Sequence, residues 1–296
     1  MPSFKNRSMI RGLPYLSFCI PALVFYIGFY IYPAVSGFYY SLTDWTTMKN
    51  GINFIGLKNF MTAFQDISLL NSVLVTLKYT FLITILQNAA GLVFALAVDS
   101  LKWNKFYRII IFLPYILPTV VSSNIWVYIY NPINGLLSLI SKSAGLGELN
   151  ILGDPKTALL GVISTNLWQL VGFSLIIYFA ALQSVPHEIL ESSRVDGAGA
   201  MRQIFHIKIP LILPAVTINV MFSLINGLKV FDYIYIMTNG GPGSATRSIS
   251  AMVFFVAFNE GMMGYGSAVG VLLFISIALI SYFALKIMRR REVEAL

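Results

Sequence analysis

Two short constellations of polar side chains sit in otherwise apolar stretches of this chain. Asn166, Gln169 and Phe173 recur at three- and four-residue spacing, which places them on one side of a helix, and Ser223, Asn226 and Gly227 do the same further on. Amides and a hydroxyl can satisfy the many hydroxyl groups of a sugar, and an aromatic face can cover the C–H side of its ring. The same groups can equally hydrogen-bond one membrane helix to another, and the spacing alone leaves both readings open. Lys229 and Asp232, three apart, are close enough on a helix for an ion pair that would lower the burial cost of both.

Bond-making chemistry finds no counterpart in the sequence. There is no Gly-Lys dipeptide, hence no phosphate-cradling P-loop, and no Gly-x-Ser-x-Gly or His-Glu-x-x-His pattern. The two histidines, His187 and His206, fall in one polar loop rather than at haem- or metal-ligand spacing, so no metal site is expected. The single Cys19 excludes an intramolecular disulfide or a CxxC redox pair. The expectation is a chain that binds and moves a molecule, not an enzyme, with no cofactor of its own.

The elements that must position these residues are membrane helices. A composition 57% hydrophobic and only 11% charged leaves too little polar surface to cover a soluble globule of 296 residues. Intervals free of charge and histidine run over 12–43, 79–98, 109–141, 157–186, 209–228 and 261–285, and a bilayer crossing needs about 20 residues. Six spans are expected, near 14–40, 72–98, 108–130, 158–182, 209–237 and 265–287. The uncharged run after Lys5, Arg7 and Arg11 is too long for a signal-peptide core of about 7–15 residues and reads as a retained first span. Pro114 and Pro118 predict a kink in the third span, and Ala89, Ala90, Gly91, Ala95 and Ala97 predict close helix contact along the second.

Basic residues set the orientation. Thirteen of them lie before the first span, between spans two and three, between spans four and five, and after the sixth; the alternate loops hold five. Lys and Arg resist translocation, so both termini and the 184–208 loop are expected in the cytoplasm. This asymmetry, together with attraction to an anionic inner leaflet, accounts for the net charge of +8 without a nucleic-acid partner.

That loop carries the most specific signal. Ser184 and Pro186 suit a helix start, with Glu188 and Glu191 at the positive end of its dipole; Gly197 and Gly199 allow a turn, and a second helix leads to Pro210. Helices are expected over about 186–195 and 200–207. Glu191-Ser192-Ser193, Gly197 and Ile207-Lys208-Ile209-Pro210 match in register the Glu-Ala-Ala, Gly and Ile-x-Leu-Pro elements of the "EAA" loop. The chain thus resembles the membrane subunits of ATP-binding-cassette importers. Leu182-Gln183-Ser184-Val185-Pro186, Phe231-Asp232 and Thr238-Asn239-Gly240-Gly241-Pro242-Gly243 look like the carbohydrate branch, of the maltose and glycerol-3-phosphate permease type. The departures are Ser192 and Ser193 for alanines and Ile209 for leucine.

The resemblance implies an all-α integral membrane protein of six transmembrane helices with a cytoplasmic coupling-helix loop, like a type I ABC importer permease, built as a single transmembrane permease domain over 1–296. It places the protein in a prokaryotic cytoplasmic membrane. It implies a second related permease, two ATPase subunits that bind ATP and Mg, and an extracellular or periplasmic solute-binding protein, with a sugar as substrate. Glu191, Ser192, Ser193, Asp196, Gly197, Ala198, Ile207 and Pro210 would couple the chain to the ATPases. By the same resemblance Asn166, Gln169, Phe173, Ser223, Asn226 and Gly227 would line the substrate pocket. Two rivals stand beside this reading: a permease for another solute such as a phosphate ester or amino acid, which a strongly charged pocket would support, and an ion-coupled transporter or channel, which transport without ATPase subunits would support.

Overall fold

A computed structural model describes residues 19–49, 51–101 and 103–295, with the side chains of 293–295 left aside. The expected beginning of the first span, and Lys5, Arg7, Arg11 and Lys102, lie outside the described residues. Two compact units partition the chain: one runs to Gln65 and includes Val253–Leu272, the other comprises Asp66–Met252 and Leu273–Leu296.

In the first unit, α1 (Cys19–Tyr40) is long and apolar enough to cross a membrane, and none of its residues is buried. It leads into a loop closed by a lone antiparallel bridge between Thr43 and Phe54. The Asn59 amide donates to the carbonyls of Ser41 (2.9 Å) and Thr43 (2.8 Å), at the start of α2 (Lys58–Gln65).

The second unit is built around α3 (Ile67–Asp99), which packs along α7 (Ala158–Gln183) and α10 (Leu213–Leu228). Hydrophobic transfer gives little drive between helices already in lipid, so close packing and hydrogen bonds must hold them. Gly91 shows the first: a Cβ built there would sit 2.6 Å from Ser174 Cβ. Ala95, another of the small residues expected at a contact, is fully buried. A polar seam supplies the second. Tyr178 Oη donates to Asn88 Oδ1 (2.6 Å), Asn88 Nδ2 donates to Ser223 Oγ (2.8 Å), and Gln87 Nε2 donates to Ser174 Oγ (2.9 Å).

The third span is broken. α4 (Asn104–Ile116) and α5 (Thr119–Ile129) meet at 97°. Pro118 bars helical geometry from the residue before it, and Leu117 is accordingly extended at φ −68°, ψ 138°. Pro114 is carried inside α4. α4 lies tight against α7 because Gly172 has no side chain; a Cβ there would stand 2.4 Å from the Ile111 carbonyl oxygen. α6 (Leu136–Ser143) follows in the next loop.

After α7 come α8 (His187–Val195) and α9 (Ala200–Leu211), whose stretch Ile204–Lys208 is wound as a π-helix. α9 meets α10 at 72°. The fifth span is therefore not the single helix expected over 209–237. It bends at Ile212, ends at Leu228, and resumes as α11 (Asp232–Thr238) after Lys229 leaves helical geometry at ψ 17° and Phe231 adopts φ −137°. α12 (Ile249–Asn259) and α13 (Met263–Ala295) complete the chain. Among the described residues, four helices are long and apolar enough to cross a membrane, six when each bent pair counts as one span.

Candidate functional site: a polar cavity and an exposed helical loop

The breaks in the third and fifth spans face a common cavity of about 500 Å³. Tyr115 and Thr119 line it from the first break, Asn166 and Leu170 from α7, Phe222 and Asn226 from α10, and Lys229 to Tyr233 from the second break. Asn166 is only 5% exposed, and its Oδ1 has no hydrogen-bond partner. An amide oxygen buried without a partner costs about 1–3 kcal/mol, a cost that a ligand hydroxyl would remove once rotation of the side chain brought the oxygen to the cavity. Asn226 is half-buried and donates to the Phe222 carbonyl (2.9 Å), which leaves its oxygen for other use.

The expected pocket residues divide into two groups. Asn166 and Asn226 line the cavity. Gln169 does not: its Nε2 donates to the Leu117 carbonyl (2.7 Å) and its Oε1 accepts from Tyr233 Oη (2.8 Å). It satisfies the carbonyl that Pro118 frees, which is how irregular backbone persists at membrane depth. Phe173 stands behind the wall, stacked between Tyr115 (5.2 Å) and Phe222 (4.2 Å); those two rings supply the aromatic surface instead. Ser223 bonds to Asn88, and Gly227 lets α10 approach α3, where an added Cβ would meet Thr80 at 3.0 Å.

Helical phase explains the division. Phe222 and Asn226 form one i, i+4 pair, and Ser223 and Gly227 form another turned by about 100° toward α3. The sequence grouping merged two faces. Lys229 and Asp232 also depart from expectation: they flank the helix break instead of sharing a helix, both are exposed at the cavity, and they make no ion pair with each other.

The 184–208 loop is built as two helices hinged on Gly197. The Ala198 N–H donates to the Ser193 carbonyl (2.8 Å) and the Gly197 N–H to that of Arg194 (3.0 Å), with Gly197 at φ +80°. This pair of bonds is a Schellman closure, which needs the left-handed residue at that position. Gly199, expected to share the turn, has φ −69° and is open to any residue. Asp196 is the exposed residue just before the turn, and Ala198 is half-buried just after it.

Ser193 is buried and accepts from Gln203 Nε2 (2.8 Å), which also donates to the Leu190 carbonyl (3.0 Å), so one amide fastens α8 to α9. Leu190 anchors the pair in a core of Val98, Tyr178, Leu182, Val185 and Ile212, against which Ile207 also packs. Pro210 opens the α-helical turn that follows the π-helix. Glu191 and Ser192 are exposed, as are the apolar Ile189, Val195, Met201 and Phe205.

At the root of the loop, Asp99 Oδ2 pairs with Lys208 Nζ (3.0 Å) and Asp99 Oδ1 accepts from Gln183 Nε2 (2.7 Å). Arg108 stacks its guanidinium 4.2 Å above the Phe179 ring beside it. Asp99 and Gln203 had no motif to mark them, and Gln183 was marked only as part of the Leu182–Pro186 stretch, with no contact assigned to it.

Membrane helices that wall a polar cavity, together with a hinged pair of helices that leave apolar and acidic side chains exposed, are the build of a permease subunit. Residues 87–293 match the family described as binding-protein-dependent transport system inner membrane component, and the chain belongs to that family. It is a membrane subunit of an ABC importer; ATP hydrolysis belongs to a separate subunit. It is 36% identical to the probable ABC transporter permease protein YurN of Bacillus subtilis, over 90% of this chain and 93% of that one. It is 34% identical to the probable starch degradation products transport system permease protein AmyD of Thermoanaerobacterium thermosulfurigenes, over 98% and 99%. Its fold matches, at a TM-score of 0.85 and 23% identity, a chain of a bacterial ABC transporter involved in the import of the acidic polysaccharide alginate, covering 96% of this chain and 98% of that one.

Proposed function

We propose that this chain is the sugar-conducting permease subunit of its importer, and that residues 1–296 work as one transmembrane domain. The observation that carries this reading is Asn166, an amide whose buried Oδ1 lacks a partner, in the wall of a cavity whose other walls bring a second amide, Asn226, and two aromatic rings, Tyr115 and Phe222. The charged lining residues, Lys229 and Asp232, cancel, which favours an uncharged sugar over a phosphate ester. The name of the AmyD relative, a permease for starch degradation products, agrees.

In this reading a second related permease completes the pore, and two ATPase subunits holding ATP and Mg dock on the 184–208 helices. A solute-binding protein delivers sugar from outside. ATP-driven closure of the ATPases moves α8 and α9, with Glu191 as polar contact and Gly197 as hinge, and the cavity is exposed alternately to the two sides. Both termini lie in the cytoplasm. In a Cys19→Ala background, an impermeant thiol reagent applied outside should label Asp154→Cys and Asn259→Cys but spare Glu188→Cys; labelling of position 188 would reverse the orientation.

Uptake of a panel of radiolabelled mono- and oligosaccharides by a deletion strain, with and without the restored gene, tests the substrate class. Restored uptake of at least one neutral sugar supports the reading. Restored uptake confined to phosphate esters or amino acids would overturn it.

A further inference from the structure

At the end of α3 and α7 remote from the 184–208 loop, two adjoining clefts share Val75, Lys78, Pro155 and Ala245. One, of about 440 Å³, adds the polar Asn71 and Ser244. The other, of about 560 Å³, adds Lys156 and the apolar Phe81, Leu82, Leu159 and Leu160. No acidic residue lines either cleft, and neither lysine is in an ion pair among the described residues.

The level of these residues relative to the bilayer follows from the sequence. Lys78 immediately precedes the charge-free interval 79–98 and Lys156 immediately precedes 157–186. Twenty helical residues rise about 30 Å, the thickness of the hydrocarbon core. Lys78, which precedes a run of that length, therefore stands at the boundary where hydrocarbon gives way to headgroups, and Lys156 shares its cleft. Phe81, Leu82, Leu159 and Leu160 lie three or four residues deeper, and Phe81 (66%) and Leu160 (54%) are exposed to whatever fills the cleft. Two lysines at the boundary, with Asn71 and Ser244 on one side of them and a wall of Phe81, Leu82, Leu159 and Leu160 on the deeper side, have the profile of an amphiphile.

We propose that the two clefts hold one anionic phospholipid, its phosphate between Lys78 and Lys156, its headgroup beside Asn71 and Ser244, and an acyl chain along Phe81, Leu82, Leu159 and Leu160. A lysine near a membrane surface contributes about 1 kcal/mol toward an anionic lipid, roughly fivefold in occupancy. A protein partner reaching the lysines from the aqueous side would leave the deeper apolar wall unfilled, so lipid is the better fit. This inference needs only membrane insertion and stands apart from the identity of the transported sugar.

The test is native mass spectrometry of the purified importer complex, exchanged into detergent containing phosphatidylglycerol or phosphatidylcholine. The complex should retain one phosphatidylglycerol in preference to phosphatidylcholine. Retention should fall about fivefold in Lys78→Gln and again in Lys156→Gln, and survive in Lys78→Arg, which keeps the charge and controls for misfolding. Equal retention of both lipids, or unchanged retention in the glutamine variants, would overturn the proposal. So would equally effective displacement by inorganic phosphate, which marks a simple anion site. Unchanged lipid retention alongside lost stimulation by the solute-binding protein would assign the lysines to that protein instead.

Discussion

Asp99 and Lys208 are joined at 3.0 Å across 109 residues of sequence, whereas the other two ion pairs among the described residues, Lys49 with Asp44 and Lys142 with Glu148, are local. Their side chains are each 19% exposed, so water screens the pair less than it would a surface pair. Gln183 occupies the remaining carboxylate oxygen. The ends of α3 and α7 are thus tied to the π-helical segment through which α9 leads into α10.

That tie should transmit movement of the loop. Asp99→Asn and Lys208→Met are expected to lower sugar uptake per ATP hydrolysed in reconstituted vesicles, and the exchange Asp99→Lys with Lys208→Asp should recover part of it. Unchanged transport per ATP in both single variants would leave the pair a fastening with no part in coupling.

The hinge makes a sharper demand. Gly197 at φ +80° cannot be replaced by proline, whose φ is fixed near −65°. Gly197→Pro should insert at normal abundance yet abolish substrate-stimulated ATP hydrolysis, with Glu191→Ala milder because only an exposed contact is lost. Full activity of both variants at equal membrane abundance contradicts a coupling role for the loop.

The cavity and the polar seam should respond differently. Loss of a hydrogen bond in a desolvated site costs about 1–3 kcal/mol, so Asn166→Ala and Asn226→Ala should raise the apparent KM for uptake about tenfold or more, with complex assembly intact. Ser223→Ala removes a contact to Asn88 and should lower the thermal unfolding temperature while sparing KM. A KM effect from Ser223 alone would move the pocket toward α3.

Close packing gives a fourth expectation. At Gly172 an added methyl meets backbone, which cannot swing away as a side chain can. Gly172→Ala should destabilise the subunit by about 1–3 kcal/mol, read as detergent-solubilised thermal unfolding, and Gly199→Ala, with nothing within 4 Å, should be neutral. Equal tolerance at both positions would show that α4 is free to shift from α7.

The sequence was legible wherever one local rule governed. Charge-free intervals found the helices long and apolar enough to cross a membrane, and the dipole, glycine and proline signals around His187–Val195 located the loop to within a residue or two. The break at Leu117 followed from Pro118. What escaped notice depended on rotation and on partners distant in sequence. Spacing brought Asn166 and Gln169 to the same general side of a helix, but only the packing of α4 and α11 decides that one faces the cavity while the other is consumed by Leu117 and Tyr233. The charge-free interval 209–228 ends where the helix does, at Leu228, but the apolar Val230, Phe231 and Tyr233 beyond it carried the expected span on to 237.

Gln169 bears on how the protein is made. The Leu117 carbonyl it satisfies belongs to a span synthesised 52 residues earlier, and an unpaired carbonyl in hydrocarbon costs several kcal/mol. A third span that entered lipid in its broken form ahead of the fourth would bear that cost until Gln169 arrived, and Tyr233, from the fifth, is the last of the three partners to be made.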